Sequence, residues 1–305
     1  MKKCLKVFVI LFVVILLSGC KNSVSNNSKF TIISTNFPGY DFARAITKDV
    51  DNVEVKLLLK PGAEMHHYEP TPQDIIDIKN SDVFIYVGGE SDSWISNILN
   101  DIDTSKTKII KLMDLVDLSL EGDWDNSETD EYDEHVWTSP VNAIQIVKKL
   151  SLAIIRLDID NQELYQKNTD SYVNLLALID TEIRSIVENA KRNELVFGDR
   201  FPLIYFTKEY GLKYYAAFPG CSEQTEASAK TLAFLINKVK EDSIPVVLHV
   251  ELTKGDIANS ISKETGAKVM EFSSIHNISQ SDFDKGITYV DIMKKNIEVL
   301  KVALN

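Results

Sequence analysis

The sequence predicts an α/β protein built as two parallel-sheet lobes joined by one long rigid helix. Three observations carry that prediction. Short apolar runs alternate with helix-period stretches over residues 30–140, and the same alternation resumes over 193–305. Strands that alternate with helices form parallel sheets covered on both faces. Between the two stretches, from Asn161 to Ala190, the chain has no Gly or Pro and repeats apolar residues every three or four positions.

The elements follow in order. FTIIS at Phe30–Ser34 reads as a strand and Tyr40–Ile46 as a helix. Val53–Leu59 is strand-like, and Thr71–Asn80 is a helix with Pro72 in its first turn, where a missing N–H costs nothing. Val83–Val87 is a buried strand that stops at Gly88 and Gly89. Trp94–Leu99 is helical and Lys108–Leu112 strand-like. Residues 141–192 form a helical connector. In its long helix Tyr165, Tyr172, Leu175, Leu176, Ile179, Ile183, Ile186, Val187 and Ala190 recur at three- and four-residue spacing, one amphipathic face. About thirty residues would span about 45 Å, the length of both lobes. In the second lobe Glu194–Phe197, Lys213–Phe218, Pro245–Val250 and Lys268–Phe272 read as strands. Pro202–Tyr210, Ser228–Glu241, Asp256–Glu264 and Gly286–Leu304 read as helices. The chain is long enough for each lobe to bury a core of its own.

Residues 1–19 read as a signal peptide. Lys2 and Lys3 precede an apolar run ending in Leu17, Ser18, Gly19 and Cys20, the pattern of a bacterial lipoprotein. The uncharged run is too short for a membrane span, which needs roughly 20 residues. Cys20 is the expected lipidation site, and residues 20–29 the tether. The expected location is the extracytoplasmic face of the cell membrane. Cys4 leaves with the signal peptide, so Cys221 remains without an intramolecular disulfide partner. Loss of Lys2, Lys3 and Lys6 moves the net charge from −12 to −15, which argues against nucleic-acid binding. Residues 121–134 (EGDWDNSETDEYDE) hold no aliphatic side chain and read as a solvated loop or a weak cation collector.

The chemistry rests on five histidines, His66, His67, His135, His249 and His276. Four lie at or near expected strand ends, where parallel α/β sheets bind ligands. His66 stands in GAEMHHYEPTPQDI, stiffened by Pro70 and Pro72, and His135 in DEHVWTSPVNA. With DVFIYVGGESDSW and the final GITYVDIMKKNIEVL, these segments resemble the zinc- and manganese-binding receptor lipoproteins of ABC importers. The resemblance covers Phe30 to Leu304. It implies one metal in the cleft between two lobes, Zn2+ or Mn2+ as cargo, a permease with its ATPase as partner, and a monomer.

Carried over residue by residue, the resemblance makes His66 and His135 the first two metal ligands and His67 a neighbour. At the usual third position, in VFGDRFPLIYF, stands Gly198, which has no side chain. Asp199 beside it is the expected substitute, with a helix cap or a pairing with Arg200 as the alternative. In EFSSIHNIS a serine stands near the family's acidic fourth position, and His276 is the expected replacement. Glu251 matches a family glutamate behind the ligands; His249 is held in reserve, and Cys221 reads as a passive thiol. Three imidazoles and one carboxylate suit tetrahedral zinc, whereas manganese prefers more oxygen. A hydrolase is not expected, since no H-E-x-x-H, G-x-S-x-G or P-loop is present. A manganese receptor of the same fold and a surface adhesin stay open as alternatives.

Overall fold

The structure is a computed structural model that describes residues 29–64, 68–122, 130–220 and 227–305. The expectations for the signal peptide, Cys20, His66, His67, the centre of the acidic loop and Cys221 lie outside the described residues.

The first lobe runs β1 (Phe30–Ser34), α1 (Phe37–Ile46), β2 (Val53–Leu57), α2 (Pro72–Lys79), β3 (Val83–Tyr86) and β4 (Lys108–Lys111). Its four parallel strands are ordered β2-β1-β3-β4. The connector is α3 (Pro140–Leu157) followed by α4 (Gln162–Glu188). The second lobe runs β5 (Glu194–Phe201), α5 (Ile204–Tyr210), β6 (Lys213–Pro219), α6 (Ala229–Glu241), β7 (Val246–His249), α7 (Asp256–Thr265), β8 (Lys268–Glu271), α8 (Gln280–Asp284) and α9 (Tyr289–Ala303). Its sheet repeats the first, with parallel order β6-β5-β7-β8. Among the described residues no helix is long and apolar enough to cross a membrane.

Strand alternation sorts the side chains. Ile32, Val83 and Ile85 face one way, and Ile33 and Phe84 the other. In the second lobe Leu195, Phe197, Val246 and Leu248 face one way, and Val196 and Val247 the other. The outward sets pack into two small local clusters. The inward sets join a single core that runs from β1 through α3 and α4 to α9. The lobes therefore do not carry separate central cores, as their length had suggested; the connector helices fuse them.

The long helix works as expected, over 27 residues. Its first half holds the first lobe: Asn168 Nδ2 donates to Ile46 O and Lys48 O, and Tyr172 OH to Asp41. Its second half holds the second lobe through Tyr210 OH on Asp180 and Arg184 on Glu209. Asp41 adds a third tie. Its carboxylate accepts the Tyr289 N–H at 2.9 Å, at the first turn of α9, where a helix favours negative charge. Burial raises the Asp41 pKa, against the opposing effect of Arg44 and these donors.

Two details position the cleft. Gly88 and Gly89 end β3 with φ of +93° and +78°, where side chains are strained. A Cβ on Gly89 would meet Glu134 Oε2 at 2.5 Å, so the bare turn makes room for the segment before His135. β5 shifts register between Phe197 and Arg200 and runs on to Phe201, four residues beyond the sequence expectation. Such irregularities re-aim side chains, and Gly198 and Asp199 lie within this one.

Candidate metal site

His135 sits at the end of the segment that leads into α3 and is fully buried. Asp133, two residues earlier, accepts its backbone N–H at 2.8 Å and lies 3.3 Å from its Nδ1. An Nδ1–H donated to a carboxylate fixes the tautomer that leaves the lone pair on Nε2, the arrangement of metal-binding imidazoles. The second lobe braces the segment, since Tyr205 OH donates to Asp133 O at 2.7 Å. Burial works against the His135 cation, but the neighbouring carboxylates of Asp133, Glu134 and Glu121 outweigh it, so its pKa lies above the ordinary value.

His276 reaches the same place from the loop after β8. Its ring stands 5.3 Å from that of His135, centroid to centroid, at 88°. Trp137 packs beside both rings, at 5.5 Å and 5.6 Å, and its Nε1 donates to Ser274 O at 2.8 Å across the lobe boundary. Glu251 builds the loop. It accepts the Ser274 N–H at 2.7 Å, the Ser274 hydroxyl at 2.8 Å and the His276 N–H at 2.8 Å. Between those amides Ile275 takes φ +60°, a strained value for a β-branched residue. Two N–H groups closing on one carboxylate offset that strain. Burial raises the Glu251 pKa, while the same donors pull it down.

His135, His276, Glu251 and Ser274 line a small cavity of about 40 Å³, room for an ion with a few waters. Ala63 and Glu64, just before His66 in sequence, form its first-lobe wall; Pro202, Val250 and Leu252 contribute from the second. Arg200 is the one Lys or Arg among the described lining residues, and it pairs with Glu64 across the lobes at 3.7 Å. The surroundings are otherwise acidic, which favours a cation.

The remaining candidates lie beside the cavity. Asp199 accepts from the Arg200 N–H at 2.9 Å through one oxygen. Its other oxygen accepts from Val250 N at 3.2 Å and Thr253 Oγ1 at 2.8 Å. It thus ties the β5 irregularity to the turn after β7 and is absent from the described cavity lining. His249 turns its Nδ1 to Val250 O at 2.9 Å and its ring against Gly255. Gly198 has a packing reason. A Cβ there would lie 2.4 Å from Ala258 Cα in α7 and 2.5 Å from its N, so no side chain fits. Gly198→Ala is expected to destabilise the protein by about 1–3 kcal/mol, the usual cost of overpacking, in a denaturant titration. An unchanged midpoint would contradict that close approach.

Sequence reasoning missed Asp133 and Asn277 at this place, and saw Arg200 only as a neighbour of Asp199, not as the partner of Glu64. Asp133 carried a signal: a carboxylate two positions from His135 lies on the same side of extended backbone. Arg200 and Asn277 carried none, because their partners are more than a hundred residues away. Among the described residues no three His, Cys, Asp or Glu side chains converge as a complete metal set, and His66 lies outside them.

Fold and cleft define the class: a two-lobed α/β solute-binding protein with a histidine pair between its lobes. The family described as "ZnuA: Zinc-uptake complex component A periplasmic" matches residues 32–303, and the chain belongs to that family. It is 32% identical over 323 residues to the High-affinity zinc uptake system protein ZnuA of Bacillus subtilis (strain 168), covering 99% of this chain and 98% of that one. It is 32% identical over 293 residues to the Zinc-binding lipoprotein AdcA of Streptococcus pneumoniae serotype 4 (strain ATCC BAA-334 / TIGR4). That match covers 93% of this chain and 58% of AdcA. The structure of the Zn(II)-bound ZnuA-like domain of Streptococcus pneumoniae AdcA superposes with TM-score 0.76 at 30% identity, covering 90% of this chain and 99% of that domain.

Proposed function

We propose that this chain is the extracytoplasmic receptor of an ABC zinc importer, capturing Zn2+ between its lobes and presenting it to the permease and its ATPase. The observation that carries the reading is the meeting of His135 and His276, one from each side of the lobe boundary, over a small cavity. The zinc named in the B. subtilis and S. pneumoniae relatives supports the choice of metal. So does an imidazole-rich donor set, which suits tetrahedral zinc better than manganese.

In this reading His66, His135 and His276 bind the metal through nitrogen, and Asp199 is the fourth ligand. To serve, Asp199 must give up its bonds to Val250 and Thr253, so its binding would reorder the 250–253 turn. Glu251 positions His276, and Asp133 orients His135 and takes up part of the incoming charge. The fused core and the two-sided grip of α4 support capture by local loop ordering over a wide hinge motion. Protein purified without chelator is expected to carry about one equivalent of zinc. Elemental analysis showing manganese in its place, or no metal taken up from zinc buffer, would overturn the reading.

The anchor in this reading is a lipid on Cys20, supported by the LSGC sequence and by the lipoprotein name of the AdcA relative. Cys20→Ala is expected to shift the protein from the membrane fraction to the medium. A variant that stays membrane-bound and is still cut after Gly19 would contradict it.

A further inference from the structure

The loop that bears His276 is fastened to its own lobe by Glu251 and by Asn296, whose side chain pairs with both backbone groups of Ser273. It is also fastened to the other lobe, by the Trp137 indole on Ser274 O and by one of its own side chains. Asn277, next to His276 and 3% exposed, donates through Nδ2 to Lys60 O at 2.9 Å and to Ala63 O at 2.7 Å. Its Oδ1 accepts the Ile278 N–H at 2.8 Å. The Gly62 N–H donates back to Ile278 O at 2.7 Å. Two acceptors on one side and a donor on the other fit a single orientation of an amide, and no other side chain of this size offers the same set. Aspartate would turn an oxygen toward two carbonyls, and leucine would leave both unpaired. Gly62 takes φ +81°, so the turn being gripped is itself shaped for the bond.

Resting on the zinc-receptor reading, we propose that Asn277 is a positioning residue: it clamps the 60–63 turn of the first lobe to the 273–278 loop of the second, so that the backbones leading to His66 and His276 share one frame before metal arrives. Ligands held by a preformed support need less ordering on binding, and a support lost is felt as weaker binding. Without the clamp, the 60–63 turn would be held to this loop by the Gly62 N–H to Ile278 O bond without side-chain support, and more of the ordering would fall to the metal.

The test uses the full mature chain with Asn277→Asp and Asn277→Ala. Zinc release is followed by stopped-flow competition with a chelator, and amide exchange at Gly62 in the zinc-free protein. Loss of two neutral hydrogen bonds predicts about tenfold faster zinc release, with faster Gly62 exchange in both variants. In the zinc-free parent the Gly62 amide is expected to be protected, which checks the clamp even if both variants fold poorly. An unprotected parental Gly62 overturns the proposal. So does a variant with a lower melting temperature and faster Gly62 exchange but parental zinc release, since that would leave Asn277 a structural role only. Failure of the parent to bind zinc would instead remove the receptor reading, and with it the role given to the clamp, while the Gly62 measurement still reports whether the clamp forms.

Discussion

His135→Ala is expected to lower zinc affinity by more than the roughly 10–100-fold that follows loss of an outer partner of a metal ligand. The side chain is fully buried, its Nδ1 is set by Asp133, and its ring faces that of His276 across the cleft. Removal would take away a nitrogen donor and leave Asp133 without the imidazole it orients. His276→Ala is expected to act in the same direction. His249→Ala is the control, because its ring turns to the Val250 carbonyl and the Gly255 turn. Competition titration with a chromophoric chelator measures all three. Parental affinity in His135→Ala, or a large loss in His249→Ala alone, would overturn the assignment. The same side chain sets a pH dependence. Neighbouring carboxylates hold the His135 pKa above the ordinary value of about 6.5. Zinc must displace that proton, so apparent affinity should keep rising as pH passes above about 6.5 and level off once the imidazole is neutral.

Trp137→Ala is expected to carry the largest stability loss in the molecule. The indole is wholly buried in the shared core and donates to Ser274 O across the lobes at 2.8 Å. Truncating a buried tryptophan costs about 3–5 kcal/mol. For a chain of this size that is on the order of 10 °C in melting temperature. Trp137→Phe keeps most of the packing and loses the bond to Ser274, so it should cost about 1 kcal/mol while still weakening zinc binding through the His276 loop. Thermal melts of the zinc-free proteins separate the two. A Trp137→Ala melt within 2–3 °C of the parent, a shift worth only about 1 kcal/mol, would show that the lobes do not share their core as described.

Much of the fold could be read because its central strands β1, β3, β5 and β7 are largely buried and its helices show one apolar stripe. Val83–Tyr86 has no polar break, and Tyr165, Tyr172, Leu176, Ile179 and Ile183 mark the buried face of the long helix. Where local chemistry competes with the pattern, the reading was coarser. Trp94–Leu99 reads as one helix but folds as two 3-10 turns, Ser93–Asn97 and Leu99–Asp101, with the Ser96 hydroxyl bonded to Ser93 O. The short helix Gln280–Asp284 has too few residues to show a period. At the site, the scarcity of histidines and the family resemblance singled out His135 and His276, and the structure brings their rings together. The aim of Asp199 could not, because it depends on a register shift within β5 and on a turn fifty residues away. Gly198 reads from sequence as a missing ligand; the reason it is glycine, the backbone of α7 pressed against it, exists only in the folded chain.

The central claim is that zinc is held between the lobes by imidazoles of His66, His135 and His276. Zinc-edge X-ray absorption of the one-equivalent complex tests it most directly, with His135→Ala and His276→Ala alongside. The account predicts a first shell of nitrogen and oxygen at about 2.0–2.1 Å with imidazole scattering beyond it, and fewer imidazoles in each variant. A sulfur shell at about 2.3 Å, which would bring Cys221 onto the metal, or an imidazole count unchanged by either substitution, would contradict it.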